Sequence, residues 1–261
     1  MGAWDIWEKA VIPRLLANCG SWVDISKQTI KLLEETQNLY CRLVYACPGS
    51  TPKPALRGQA GLLDCEHRVW LEKVCLVSSI LFKQSEQESY ARELLQEQLA
   101  MGWDGITKEV EQICITVGLP NACKVFVRRC DALKNIKLSS LKKLKLDMEG
   151  LSKLELMKTK DLRKPQDYMT NISLEDSRLE FTWRSNMLDN RGCMSKKYIS
   201  KACPHCVEGR LEGVEETSLH WLTCQAYKEL RHGLDPELVI KDRLVYLRRV
   251  QELRKELEKT I

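Results

Sequence analysis

The amino-acid sequence predicts a mainly α-helical fold. Of its 261 residues, 44% are hydrophobic and 30% are charged, which supplies a buried core and excludes a disordered tail. Glycine and proline are sparse, at 13 and 8 residues, and the apolar residues recur at helical rather than alternating spacing. The length suggests one large domain or two small ones.

The N-terminal half carries the clearest helical patterns. Residues 4–22 predict a short helix that Pro13 kinks or divides. Ser26 is predicted to be the N-cap of the next helix. One face of that helix repeats at helical spacing, with Gln37 as its only polar member, and it consists of Ile30, Leu33, Gln37, Tyr40, Cys41 and Val44.

The rest of the chain alternates between turn signals and helical patterns. Residues 47–58 contain three prolines and two glycines, so they are predicted to form a loop. The final stretch, 236–261, predicts a charged helix whose apolar positions are too few for a coiled coil, so it is expected to pack back on the body. Further helices are predicted over 59–82, 86–101, 107–117, from Pro120 to about Leu133, and within 166–198.

Positive charge concentrates in two stretches. Residues 134–164 hold ten Lys or Arg against four Asp or Glu, a local net charge of +6 in a chain whose total is +5. Residues 190–201 are basic and contain no acid. Such stretches are either solvated helix faces or surfaces that contact phosphates without reading sequence. The candidate nucleic-acid contacts are Lys142, Lys143, Lys145, Arg184, Arg191, Lys196, Lys197, Tyr198 and Lys201, among which the tyrosine is suited to base stacking.

Three cysteines and a histidine lie together in "ACPHCVEGRLEGVEETSLHWLTC". Cys203, Cys206, His220 and Cys224 follow the pattern C-x2-C-x13-H-x3-C, which is typical of a closed, tetrahedral structural zinc site. The alternative is that they are ordinary cysteines of a helical body. The polar stretch 207–218 between the two pairs favours zinc, and four protein ligands would leave no position for a catalytic water.

The other cysteines are predicted to be structural. The chain has no run of about 18 apolar residues and no signal-peptide layout, so a reducing, intracellular location in the nucleus or cytoplasm is expected, without a membrane. There, 12 cysteines are not expected to form a disulfide framework. Those that lie singly in helical patterns are predicted to be buried, and they are Cys19, Cys41, Cys65, Cys75, Cys114, Cys123 and Cys130.

No catalytic motif occurs in the sequence. It contains neither a phosphate-binding glycine loop nor a G-x-S-x-G elbow. His67 is near acidic residues, but at helical spacing it is predicted to pack or to face solvent. The chain is therefore predicted not to be an enzyme by itself.

Several stretches resemble the C-terminal part of non-LTR retrotransposon reverse transcriptases. These are "SLEDSRLEFTWRSNMLDNRG", "SKKYISKACPHC" and "EETSLHWLTCQAYKELR", while "WDIWEKAVIPRLLANCGSW" resembles the start of the thumb in the same family. Cys193 departs from the pattern, because the family usually has Asn there. No Asp-Asp pair occurs anywhere in the chain, so the aromatic-x-Asp-Asp motif that holds the polymerase metal ions has no counterpart.

The resemblance implies a nucleic-acid-binding C-terminal piece that lacks the catalytic palm. It would contact the backbone of RNA or DNA without strong sequence preference. Two alternatives stay open: a zinc-stabilised protein-interaction module whose last helix docks a partner, and a non-functional remnant. The predicted organisation is a thumb-like helical region over 1–130, a basic connector over 131–164, a Cys/His zinc-binding helical module over 165–235 and a C-terminal helix over 236–261.

Overall fold

The computed structural model describes residues 3–82, 89–151, 154, 157, 166, 168–188, 202, 203, 206, 214–236 and 239–260. All regular secondary structure in these ranges is helical, which confirms the predicted mainly α fold. Outside the helices, these ranges contain an isolated antiparallel β-bridge between Ala202 and Glu215. None of the described helices is long and apolar enough to cross a membrane.

The chain begins with a nearly continuous helical segment. Helix α1 (Ala3–Ile6) leads through a π-helical stretch, Trp7–Val11, into α2 (Ile12–Leu15). The predicted irregularity at Pro13 appears as this π-helical stretch, because proline has no N–H to complete the hydrogen-bond ladder with the preceding turn. A short 3-10 helix, Cys19–Ser21, then turns the chain toward the next helix.

Six longer helices form the bulk of the described protein. Ser26 caps the first of them, as predicted, because its hydroxyl accepts a 3.0 Å hydrogen bond from the Thr29 N–H. The helices are α3 (Lys27–Tyr45), α4 (Lys53–Ala60), α5 (Cys65–Phe82), α6 (Ser89–Met101), α7 (Ile106–Val117) and α8 (Arg129–Glu149).

Three of the boundary predictions were wrong. The helix predicted over 59–82 is divided between the end of α4 at Ala60 and α5, which begins only at Cys65. The predicted loop 47–58 contains the start of α4, because Pro54 lies in its first turn, where a helix accepts proline. The helix predicted from Pro120 begins instead at Arg129. The Asn121 side chain accepts a 2.9 Å hydrogen bond from the Cys123 N–H and stabilises a turn there.

Two hydrophobic clusters hold these helices together. The first joins the N-terminal segment, α3 and α4 to residues near the end of α8 and beyond it. The second joins α5, α6 and α7 to the start of α8. Helix α8 buries Ala132, Ile136, Ser140, Leu144 and Met148. This half of the predicted basic connector is therefore a packed helix.

The C-terminal helices are α9 (Tyr168–Asn171), α10 (Leu174–Arg184), α11 (Ser218–Thr223) and α12 (Ile240–Thr260). Tyr168 of α9 and Phe181 of α10 pack in the first cluster, whereas Trp183 of α10 joins α11 and α12 in a third cluster. Tyr246, Leu247 and Val250 of α12 are fully buried in this cluster, so the last helix packs on the body as predicted.

Most of the singly placed cysteines are buried, as predicted. Burial raises the pKa of Cys19 to about 11 and that of Cys41 to about 12, which keeps these thiols protonated and inert at neutral pH. Cys75 is only half-buried, and the prediction was wrong for Cys130, which is exposed near the start of α8. The buried ones are Cys19, Cys41, Cys65, Cys114 and Cys123.

Candidate metal centre

The four predicted ligands converge on one point. Their ligand atoms all lie within 4.8 Å of one another. The Cys203 and Cys206 Sγ atoms are each 3.9 Å from the Cys224 Sγ, and the Cys206 Sγ is 3.4 Å from the His220 Nε2. Residues from two segments about twenty positions apart therefore form a Cys3His group that can hold a metal ion.

The spacing of these atoms fits tetrahedral coordination. A tetrahedron with metal–sulfur bonds of about 2.3 Å and metal–nitrogen bonds of about 2.0–2.1 Å has sulfur–sulfur edges of about 3.8 Å and sulfur–nitrogen edges of about 3.6 Å. The observed 3.9, 3.9 and 3.4 Å agree with these edges within about 0.2 Å. A disulfide is excluded, because its sulfur atoms would be about 2 Å apart.

A short antiparallel pairing brings the first two ligands to the site. The bridge between Ala202 and Glu215 is extended by a 2.9 Å hydrogen bond from the Cys203 N–H to the Val214 carbonyl. The Cys206 N–H in turn donates to the Cys203 carbonyl at 3.3 Å, which closes a tight turn. This turn places both thiols near Cys224, which directly follows α11.

Helix α11 and the residue that directly follows it supply the other two ligands, His220 and Cys224. The Thr217 hydroxyl caps the helix by accepting a 3.1 Å hydrogen bond from the His220 N–H. The Cys224 N–H donates to the His220 carbonyl at 2.8 Å, so the two ligands lie one helical turn apart on the same side. The spacing of the predicted H-x3-C pair therefore brings both side chains to one site.

The three cysteine ligands are buried members of the third hydrophobic cluster, and His220 is half-buried. Cys203, Cys206 and Cys224 are buried among Trp183, Trp221, Tyr227 and the inner face of α12. The Tyr246 hydroxyl of α12 donates a hydrogen bond to the Trp221 carbonyl. The metal group is therefore part of the core that attaches the last helix.

A buried acid completes the surroundings. Glu216 is fully buried; one of its oxygens accepts a 3.2 Å hydrogen bond from the Trp221 Nε1. Its other oxygen is 3.6 Å from a guanidinium nitrogen of Arg254, which also lies over the Trp221 ring. This pair could not be recognised in the sequence, because Arg254 is 38 positions further along the chain and no local spacing connects them.

The protonation of the ligands suits metal binding. Burial lowers the pKa of His220, which favours the neutral imidazole that coordinates metals. Burial raises the pKa of Cys224, and burial together with the neighbouring Cys203 raises the pKa of Cys206. Without a metal the thiols hold their protons, so an incoming metal ion must displace them.

A second group of potential metal ligands is already hydrogen-bonded to other groups within the protein. The ligand atoms of Asp64, Glu66 and His67 also lie within 4.8 Å of one another. Asp64, however, accepts hydrogen bonds from the His67 N–H at 3.0 Å and from the Ser140 hydroxyl at 2.5 Å, and its Oδ1 is 2.8 Å from the His67 Nδ1. This network caps α5 and ties it to α8, so His67 packs, which is one of the two alternatives that the sequence left open.

The predicted nucleic-acid contacts occupy different environments. Lys142 and Lys145 are exposed on α8, whereas the Lys143 ammonium is 2.6 Å from a Glu66 oxygen. Arg184 is only 6% exposed and donates to a Glu180 oxygen at 2.7 Å, so its guanidinium is used inside the protein. This placement argues against Arg184 as a phosphate contact. The remaining candidates lie outside the described residues, and they are Arg191, Lys196, Lys197, Tyr198 and Lys201.

Comparison of the chain with known protein families, with curated proteins and with solved structures found no match.

Proposed function

We propose that Cys203, Cys206, His220 and Cys224 bind one structural zinc ion. The observation that carries this proposal is the agreement of the three ligand distances with the edges of a zinc tetrahedron. Three thiolates and an imidazole favour zinc over magnesium or calcium, which prefer oxygen ligands. Because protein atoms fill all four positions, the ion would stabilise the fold rather than perform chemistry.

Elemental analysis of the purified chain tests this proposal. We expect about one zinc per chain, and we expect it to be absent from Cys206→Ser. Cys130→Ser is the matched control, because this exposed thiol is far along the chain from the ligands and should not affect zinc content. Wild-type protein without stoichiometric zinc after purification in zinc-containing medium would end the proposal.

We further propose that the protein binds RNA or DNA through a basic stripe on α8, defined as Lys134, Lys142 and Lys145. At 100° per residue these side chains point within a quarter-turn of one another, opposite the buried face of the helix. All three are exposed, and none forms an ion pair with an acid among the described residues. The stripe extends over about 16 Å of helix axis.

The chemistry of the stripe fits phosphate better than bases. Lysine ammonium groups are point charges without the fork geometry that reads base edges, so they contact the backbone of any sequence. The apolar residue within the stripe is Leu138, which is exposed. The basic segment 190–201, which precedes Cys203, is proposed to add further phosphate contacts.

A titration of labelled RNA and DNA at several salt concentrations tests the stripe. Changing Lys134, Lys142 and Lys145 together to Gln should weaken all sequences alike. The slope of log affinity against log salt should fall by about 0.7–0.9 for each phosphate that the variant no longer binds. The matched control changes three exposed lysines elsewhere, Lys27, Lys31 and Lys53, which lowers the net charge equally.

If the stripe and control variants weakened binding equally, the binding would be explained by unspecific attraction to the net charge of the protein. The absence of binding at low salt would reject the proposal. The protein-interaction alternative is less favoured, because the apolar face of α12 that would dock a partner is buried within the chain itself.

We also propose, on the resemblance described above, that the chain corresponds to the thumb and C-terminal part of a non-LTR retrotransposon reverse transcriptase without its palm. It is then not a polymerase by itself. Primer extension with the purified chain tests this, and clear nucleotide incorporation would contradict it.

A further inference from the structure

Helix α3 exposes a row of apolar side chains on its outer face. We define the outer leucine stripe as Leu32, Thr36, Leu39 and Leu43. The three leucines are 54%, 57% and 67% exposed. The Thr36 hydroxyl donates a 3.0 Å hydrogen bond to the Leu32 carbonyl, so its polar group is satisfied within the helix. The stripe therefore offers mainly methyl groups to its surroundings.

The opposite face of the same helix is already used by the core. It buries Leu33, Gln37, Cys41 and Tyr45. A helix that packs on one side and faces water on the other carries polar residues on its outer side. Helix α3 has apolar rows on both sides, which is the arrangement of a helix that packs against something on each side.

The spacing of the stripe is the same in both chain directions. Its members are four, three and four residues apart, which is the spacing of a coiled-coil seam over about 16 Å. A second α3 laid antiparallel would therefore place Leu32 against the partner's Leu43. It would also place Thr36 against the partner's Leu39. All four side chains of the stripe would meet a counterpart.

The charges beside the stripe complement each other in this arrangement. Glu35 and Arg42 flank the same edge, seven residues apart. Neither forms an ion pair within the part of the chain that the structure describes, and the Nε of Arg42 is buried there without a hydrogen-bond partner. Antiparallel pairing brings Glu35 beside the partner's Arg42, and the two-fold axis produces this contact twice. A parallel pair would not align these two charges.

We propose that the outer leucine stripe binds a second copy of this chain as an antiparallel, two-fold symmetric helix pair. The proposal depends on neither the metal nor nucleic acid. A single helix face is smaller than the roughly 800 Å² per partner of a standard interface. The dimer is therefore weak and forms reversibly as the protein concentration rises.

Sedimentation velocity of the whole chain, up to a concentration of about 200 µM because small interfaces bind weakly, tests the proposal. The wild type should shift from monomer to dimer, and the double variant Leu39→Glu with Leu43→Glu should stay monomeric. The control is Ile115→Glu with Tyr90→Glu, which changes side chains that are 74% and 71% exposed on other helices. A control that dimerises as poorly as the stripe variant would overturn the proposal.

Charge reversal tests the orientation. Glu35→Arg should weaken the dimer severalfold, and adding Arg42→Glu should restore it, because the pair is then reformed with opposite signs. If circular dichroism shows that Arg42→Glu disturbs folding, the comparison of leucine and control variants still decides. A wild type that is monomeric at every concentration would refute the stripe as a homodimer surface and would leave a different partner as its occupant.

Discussion

Removal of the proposed zinc ion is expected to release α12 while the larger part of the helical body stays folded. The reason is that the third hydrophobic cluster contains the ligand thiols as buried members, together with Tyr246, Leu247 and Val250 of α12. The first two clusters contain none of the four ligands. A chelator should therefore act on one part of the molecule.

The magnitudes support local opening. Structural zinc contributes about 10–16 kcal/mol to folding of small zinc-finger peptides at neutral pH. Burial of the three α12 side chains contributes about 1.5–3 kcal/mol each, or about 5–9 kcal/mol together. The apolar contribution is thus smaller than that of the metal, and it must also offset the entropy of ordering the helix. Loss of the metal is therefore expected to favour opening of the cluster.

Hydrogen exchange followed by mass spectrometry measures this release directly. Peptides from α12 and α11 should become less protected after chelation, whereas peptides from α5 and α8 should keep their protection. Re-addition of zinc should restore the protection. Unchanged exchange in α12 after complete zinc removal would refute the reasoning, as would a uniform decrease of protection throughout the chain.

Two further predictions concern buried charges. Burial raises the pKa of Asp64, but hydrogen bonds from His67 and Ser140 outweigh it and hold that pKa well below its usual range. The stabilisation that ionised Asp64 contributes is fully present above a pH of about 3.9, the pKa of an aspartate in the unfolded chain. It is lost as the pH falls through the lower pKa that Asp64 has in the folded protein. Denaturant unfolding of Asp64→Asn should therefore depend less on pH below about 4 than the wild type, and an identical dependence would contradict this. Glu180→Gln should lower the free energy of unfolding by about 3–5 kcal/mol, because it leaves two buried arginines without their acid. Glu252→Gln on the exposed side of α12 is the control, and equal effects would contradict the prediction.

The candidate metal ligands could be predicted because their chemistry is local. Two thiols separated by two residues and an H-x3-C pair restrict the geometry within each segment, and the fold brings the two pairs together. The helical periods of α3 and α5 were equally visible, because one face of each is apolar over several turns. The prolines of residues 47–58 led to the wrong prediction of a loop, because proline occurs both in loops and in the first turn of a helix. Only packing in the folded protein distinguishes these two structures.

The contacts between distant residues could not be predicted from spacing. Arg184 is basic and near a lysine-rich stretch, which suggested a phosphate contact. Its environment is determined by Glu180 one turn away and by Arg243, whose guanidinium donates to the same carboxylate at 2.9 and 2.5 Å across 63 positions. No sequence pattern within α10 identifies Arg243 as the third member of this group. The same limit applies to the buried pair of Glu216 and Arg254.

The separation of the clusters also divides the proposed nucleic-acid contacts into two kinds. The basic stripe lies on α8, whose buried residues belong to the first and second clusters, so its lysines should keep their positions without metal. The segment 190–201 leads directly into Cys203, so its placement should depend on the metal.

Chelation is therefore expected to reduce affinity and the salt slope only partly in the wild type. It should abolish most of the remaining binding in the variant with Lys134, Lys142 and Lys145 changed to Gln. If chelation reduced the binding of both proteins by the same factor, the two surfaces would act independently. If chelation left both unchanged, the segment before the metal site would make no contact, and the stripe alone would account for binding.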